Sequence, residues 1–286
     1  MGQLTADDVV ARVRDLPAFP AVVTQVLKAT RDPDTSAVGV ANILATDQAL
    51  TAKVLRLANS ALFGFPRRVS TLTDAVVLLG FSTLRGLVLA GTAFGMLNRR
   101  VDGYSLDKGV LWQHSLGTAL ACRSLCQRAR RRALADEAFV AGVLHDLGKV
   151  VLDSYVGEAF SQIIEIVTEQ HRPFMEAERQ VLGFDHAEVG ARVAEAWSLP
   201  VELCEAIRFH HEPANAPPEN LLPQAAHLGD IVALSLGIGV GGDGLNYPMD
   251  GGALVALGLA PEDVEAVMTE LPDIMVDESA WQDLDR

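Results

Sequence analysis

His145 and Asp146 stand side by side in Gly142-Val143-Leu144-His145-Asp146-Leu147-Gly148-Lys149, where an apolar stretch ends. Imidazole nitrogen and carboxylate oxygen both ligate metals, and Lys149 follows Asp146 at about one helical turn. Five further candidates are spread over the chain: His114, His186, His210, His211 and Asp230. A bound ion needs several such ligands, held in fixed geometry by different elements. Neighbours on a helix point about 100° apart. His145 and Asp146 can therefore serve one centre only near a helix end, or where the carboxylate bridges two ions while the imidazole binds one. This donor set suits iron, manganese, zinc, nickel or magnesium, one or two ions per chain. Such ions lower the pKa of water toward ~7, and two of them roughly 3.5–4 Å apart can stabilise both oxygens of a phosphoryl displacement. Asp146 and Lys149 are the candidate catalytic pair, the lysine as a cation for a phosphate oxygen.

Each residue alone has a plainer use. Asp185 has the type and place of a helix N-cap. His210-His211, just before Glu212-Pro213, could simply close a helix, where cations suit the dipole. His171 lies in the polar run Glu169-Gln170-His171-Arg172 and reads as a surface residue. His227, three residues before Asp230, reads as a residue behind the ligands. The set as an ordered group is what argues for a metal centre.

The elements that must position these residues read as helices throughout, and period-2 strand patterns are scarce. Thr5 to Leu16 begins with a capping threonine and first-turn acids. Helices follow over Ala21–Thr30, Ser36–Ala45 and Gln48–Ala58, the last capped by Asp47. A loop at Asn59–Pro66 leads to Thr73–Leu79 and Ser82–Leu97. Asn98–Asp107 reads as a connector. Beyond it come Val110–Arg130 with His114, Asp136–Leu147 ending at Gly148 as a left-handed C′ residue, and Phe160–Gln170. Pro173–Leu182, His186–Ser198, Glu202–His211 and Gln224–Leu236 complete the lobe. Gly237–Gly252 reads as a loop, and Ala260–Leu271 as a last helix. The expected divisions are residues 1–105, 106–236 and 237–286.

With 286 residues, 49% of them hydrophobic, the chain can bury a sizeable core. No run of eighteen uncharged apolar residues occurs, so no membrane span is expected. The first residues lack a signal-peptide pattern, and three cysteines (Cys122, Cys126, Cys204) make no disulfide framework. Both point to the cytoplasm. A net charge of −14 argues against nucleic-acid partners. The run Arg128, Arg130, Arg131 and Arg132 reads as the solvated end of a helix.

The order His114, His145-Asp146 with Gly148-Lys149, then Asp230 resembles the HD superfamily of metal-dependent phosphohydrolases. His186 and His210-His211 resemble the fuller ligand set of the HD-GYP cyclic-di-GMP phosphodiesterases. The N-terminal half narrows the match. Leu16-Pro17-Ala18-Phe19-Pro20, Asp47, Leu50 to Ser60, and Ala75 to Gly80 resemble the HDOD domain, an HD-related output module of bacterial signalling. So do Val181 to Gly190 and Trp197-Ser198-Leu199-Pro200. The resemblance implies an all-α fold, with an N-terminal helical bundle packed on an HD-like lobe. It also implies a signal-transduction role through protein partners, or a phosphohydrolase acting on a nucleotide or cyclic dinucleotide. Many HDOD domains have lost ligands that this chain keeps. Unlike HD-GYP proteins, the chain has no Gly-Tyr-Pro after His211.

Overall fold

The structure, a computed structural model, describes residues 5–6, 8–9, 19–241 and 248–277, without the side chains of 154–158, 160 and 277. Among these residues the fold is all-α. No strand forms, and Val101 and Leu106 make an isolated bridge. The helices are α1 (Ala21–Ala29), α2 (Ala37–Leu44), α3 (Gln48–Ala58), α4 (Leu72–Leu97), α5 (Val110–Arg128), α6 (Arg132–Leu144) and α7 (Leu147–Gln170). They continue as α8 (Phe174–Leu182), α9 (His186–Ala196), α10 (Val201–Phe209), α11 (Leu222–Ser235), α12 (Gly251–Leu257) and α13 (Pro261–Asp277). The chain divides into one unit of residues 1–16 and 96–271 and another of 17–95 and 272–286. The connector read at Asn98–Asp107 lies inside the first of these.

Side-chain caps set several helix starts. The Thr5 hydroxyl accepts from Asp8 N–H while the Asp8 carboxylate accepts from Thr5 N–H, a reciprocal cap. The rest of the helix read at Thr5–Leu16 lies largely outside the described residues. Ser36 and Asp47 accept from the main-chain N–H of Gly39 and Leu50. In the smaller unit, Val23, Val26, Val40, Leu44, Val54 and Leu57 form a buried core. Arg85 donates to the carbonyl of Thr30, the residue that ends α1. Gly80 has φ 74° and ψ 168°, which only glycine adopts readily. It divides α4 between the two stretches read from the sequence. By length and composition α4 could cross a membrane, yet half of its most apolar window is buried inside the protein.

In the larger unit α5 packs on α6 and α11, and α9 packs on α7 and α10. Trp112, Leu111, Leu116 and Phe174 are fully buried there, each contributing about 1.5–3 kcal/mol by leaving water. The three cysteines are buried and unbridged, and the Cys122 thiol donates to the Ala225 carbonyl. The arginine run does follow a helix end, and two of its members have partners. Arg128 pairs with Glu270, and Arg131 donates to the carbonyls of Ala256 and Leu257 at the end of α12.

Three sequence expectations are corrected. Gly148 is not a left-handed C′ residue, since its φ is not positive and it lies in the first turn of α7. The helix read from Phe160 begins at Leu147, because residues 147–152 are buried and show no polar face to mark a helical period. The segment read as a loop to Gly252 ends in α12, whose start is capped by the Asp250 carboxylate on Gly252 N–H. Residues 242–247 of that segment lie outside the described residues.

Candidate metal centre

The junction between α6 and α7 explains how His145 and Asp146 share one centre. His145 is the C-cap of α6, and Asp146 occupies the N-cap position of α7. The last carbonyls of a helix lack intrahelical partners. His145 uses one, with Nδ1 2.7 Å from the Gly142 carbonyl oxygen. A carbonyl only accepts, so Nδ1 carries the proton and Nε2 presents its lone pair to the centre. The same device recurs at the end of α10, where His210 is the C-cap and its Nδ1 lies 2.7 Å from the Ile207 oxygen. Asp146 makes no side-chain cap bond despite its position, which leaves the carboxylate for the centre. Asp185 does the opposite and accepts from Glu188 N–H at the start of α9.

Two more imidazoles are held by their Nδ1 atoms. His114 Nδ1 is 3.0 Å from the Ile238 oxygen, just past α11. His186 Nδ1 is 2.6 Å from Glu178 Oε2, and Glu178 also accepts from the Tyr104 hydroxyl and from His186 N–H. Four Nε2 atoms are thereby free to converge. His114 and His145 face each other at 3.2 Å between Nε2 atoms, and His186 and His211 at 3.0 Å. Two imidazoles sharing an ion at about 2.1 Å stand roughly 3 Å apart.

The structure brings all seven sequence candidates together. His114, His145 and Asp230 form one group and His186, His210 and His211 another, each with its ligand atoms within 4.8 Å of one another. Asp146 lies between them. Its Oδ2 is 3.5 Å from His114 Nε2 and 3.4 Å from His145 Nε2, while Oδ1 is 3.5 Å from His186 Nε2 and 3.9 Å from His210 Nε2. Asp230 Oδ1 is 3.1 Å from His114 Nε2, and Oδ2 is 3.9 Å from His211 Nδ1. Lys149 pairs with Asp146 Oδ2 at 2.7 Å. Asp146 Oδ1 and His210 Nε2 are buried without a hydrogen-bond partner. Such orphaned acceptors are costly in a core, and a cation between them would remove the cost. The donors therefore fit a divalent ion.

Electrostatics agrees with a ligand set. Burial would raise the Asp146 carboxyl, but His145 and Lys149 hold it well below the usual range. Burial would likewise raise Asp230; His114 and His145 instead hold it at about 2. Burial and the neighbouring charges of His145 and His186 push His210 down to about 3, and His211 is lowered by burial, His210 and His186. His114 and His186 rise against burial because Asp230 and Glu178 accept from them.

Close backbone contact completes the frame. A Cβ on Gly148 would lie 1.8 Å from the His186 carbonyl oxygen and 2.7 Å from Gly190 N. Helices α7 and α9 thus cross with no side chain between them. His227, read as a residue behind the ligands, donates from Nδ1 to the His210 carbonyl and accepts the Asp250 N–H at Nε2. Arg179 joins Asp185, next to His186, to Glu212, next to His211. His171 is exposed in a left-handed turn. Sequence reasoning missed Tyr104, Glu178, Arg179 and the Ile238 carbonyl. For Glu178 the available signal was an acidic residue on the apolar face of α8, beside Phe174 and Ala177.

Buried imidazoles and carboxylates on an all-helical frame make a group that could hold a metal ion. The HDOD domain profile matches residues 16–213, and the chain belongs to that family. It is similar to an HDOD domain protein of unknown function from Geobacter sulfurreducens, with 30% identity, TM-score 0.74, and 98% of this chain and 96% of the other covered. A provisionally named phosphohydrolase from Shewanella amazonensis SB2B shows 26% identity and TM-score 0.71, covering 96% and 97%. An uncharacterised protein of Treponema pallidum (strain Nichols) is 29% identical over 214 residues, 75% of this chain. The chain spans 41% of the length of that relative.

Proposed function

We propose that this chain is a cytoplasmic signal-transduction output protein of HDOD type, built around a divalent-metal centre and acting through contacts with other signalling proteins. The observation that carries the metal centre is the Asp146 carboxylate, set between His114 and His145 on one side and His186 and His210 on the other. His114, His145, Asp230 and Asp146 would hold one ion. His186, His210, His211 and the second oxygen of Asp146 would hold another. Burial of every ligand side chain to 5% exposure or less favours an ion that organises the fold over one open to bulk solvent. Elemental analysis of the purified chain tests this. One or two transition-metal ions per chain are expected, with a large loss in Asp146→Ala. A metal-free wild type, purified without chelator, sinks the reading.

A second reading is a metal-dependent phosphohydrolase acting on a nucleotide or cyclic dinucleotide. Lys149, 2.7 Å from Asp146, favours it by placing a cation where a phosphate oxygen could be met. When bound, a divalent ion would supply hydroxide at neutral pH. The chain's own residues would orient the ester, with Lys149 offsetting its charge and Asp146 held ionised. A panel of linear and cyclic nucleotides with manganese separates the readings. Turnover lost in Asp146→Ala selects the enzyme, and silence with metal bound selects the output protein.

A further inference from the structure

The smaller unit carries a different kind of site. Residues 17–95 hold seven Lys and Arg against four Asp and no Glu, while residues 272–286 of the same unit hold five acids and one Arg. Three of the seven, Arg56, Arg67 and Arg68, line one groove of about 960 Å³ between the end of α3 and the loop that follows it. No carboxylate lines it. Arg67 and Arg68 are exposed and have no ion pair or hydrogen bond among the described residues. Ser60, on the same wall, is 5% exposed and its hydroxyl has no hydrogen-bond partner. Phe65 is half-buried on the wall and stacks at 15° on Phe63.

The loop is preformed. Asn59 donates from Nδ2 to the carbonyls of Leu55 and Val69 and accepts the Val69 N–H at Oδ1. The two bonds to Val69 close the base of the loop that carries Ser60, Arg67 and Arg68. Uncompensated guanidinium groups and a partnerless hydroxyl call for phosphate oxygens. A flat aromatic wall calls for a planar ring. The volume lies within the range of small-molecule sites.

We infer that this groove binds a small phosphorylated ligand of the nucleotide class, with Arg67, Arg68 and Ser60 taking the phosphates and Phe65 the ring. A nucleic-acid strand is the less favoured occupant, because only three cations line the groove and the chain as a whole carries −14.

The test is calorimetric titration of the full chain in EDTA with three probes: ADP, pyrophosphate and adenosine. ADP and pyrophosphate should bind, and adenosine at least tenfold more weakly than ADP. Arg67→Ala with Arg68→Ala should weaken both phosphate probes at least tenfold while leaving the circular dichroism spectrum and melting temperature intact. Phe65→Ala should weaken ADP and spare pyrophosphate, which also reports that the loop remains folded. The double arginine variant should keep the metal content of the wild type, which separates this groove from the metal centre. The inference is overturned if wild type binds neither phosphate probe, if the double arginine variant binds as wild type, or if that variant loses metal together with phosphate binding. Retention of a single-stranded oligonucleotide without binding of ADP or pyrophosphate also overturns it.

Discussion

Glu178 holds His186 twice, accepting from Nδ1 at 2.6 Å and from the main-chain N–H at 3.2 Å, both through Oε2. Its other oxygen takes the Tyr104 hydroxyl. The carboxylate fixes both the ring plane and the tautomer of a ligand. Glu178→Gln should preserve the shape but weaken ion binding about 10–100-fold, measured by competition with a chelating dye. Glu178→Ala leaves three buried donors without an acceptor and should cost about 3 kcal/mol in urea unfolding. Tyr104→Phe should cost about 1 kcal/mol. Unchanged affinity in Glu178→Gln would show that the centre does not depend on this anchor.

Gly148→Ala places a methyl group inside the main chain of α9. Relief requires the helices to separate, so a loss of about 3 kcal/mol or more is expected from the shift in the urea midpoint. Metal content should fall in the same variant, since His186 moves with α9. A stable, fully loaded Gly148→Ala protein would refute the crossing as described.

Arg179→Ala separates two effects. The side chain is 41% exposed, so its ion pairs should contribute no more than about 1 kcal/mol to stability. It nevertheless ties Asp185 to Glu212, one residue away from His186 and His211 respectively. The expected result is a nearly unchanged melt with weaker binding of the ion that His186 and His211 would hold. Unchanged metal affinity would place its influence elsewhere.

The metal-free protein should be most stable near pH 6.5. Burial and adjacent imidazoles hold His210 at about 3 and keep His211 low, against 6.5 unfolded. Below 6.5 the unfolded chain takes up protons that the folded chain refuses, and stability falls by up to about 1.4 kcal/mol per unit for each group. His114 and His186 act in the other direction. Against burial, Asp230 and Glu178 raise them, so their contribution is complete below 6.5 and is lost as pH rises through the raised values. The lowered carboxyls of Asp146 and Asp230 contribute above the ordinary range and lose that only in stronger acid. Thermal melts in EDTA from about pH 5 to 8 should trace this maximum. A divalent ion should abolish the alkaline fall, because it takes the place of the protons. A curve in EDTA that rises without a turn would contradict the assigned charges.

Side-chain signals made much of this readable. Capping residues at Thr5, Asp47 and Asp185 located helix boundaries through their own local chemistry. The ligand cluster was readable because histidine and aspartate in that order have few other joint uses. The supports were harder to see. Ile238 and Gly142 act through main-chain carbonyls, which carry no side-chain signature. Glu178 sits on α8 and meets His186 across a turn, so no helical period connects them. Buried residues at the start of α7 concealed its first turns. Gly148 resembled a helix stop, while its actual use, a close helix crossing, is visible only in three dimensions.

That crossing has a consequence for how the two halves of the centre are spaced. Asp146 precedes Gly148 by two residues, and the atom Gly148 abuts is the carbonyl oxygen of His186 itself. The interval between the carboxylate and that imidazole is thus gauged by peptide against peptide. Repacking the apolar shell around α7 and α9 can alter the melting point while leaving that interval as it was.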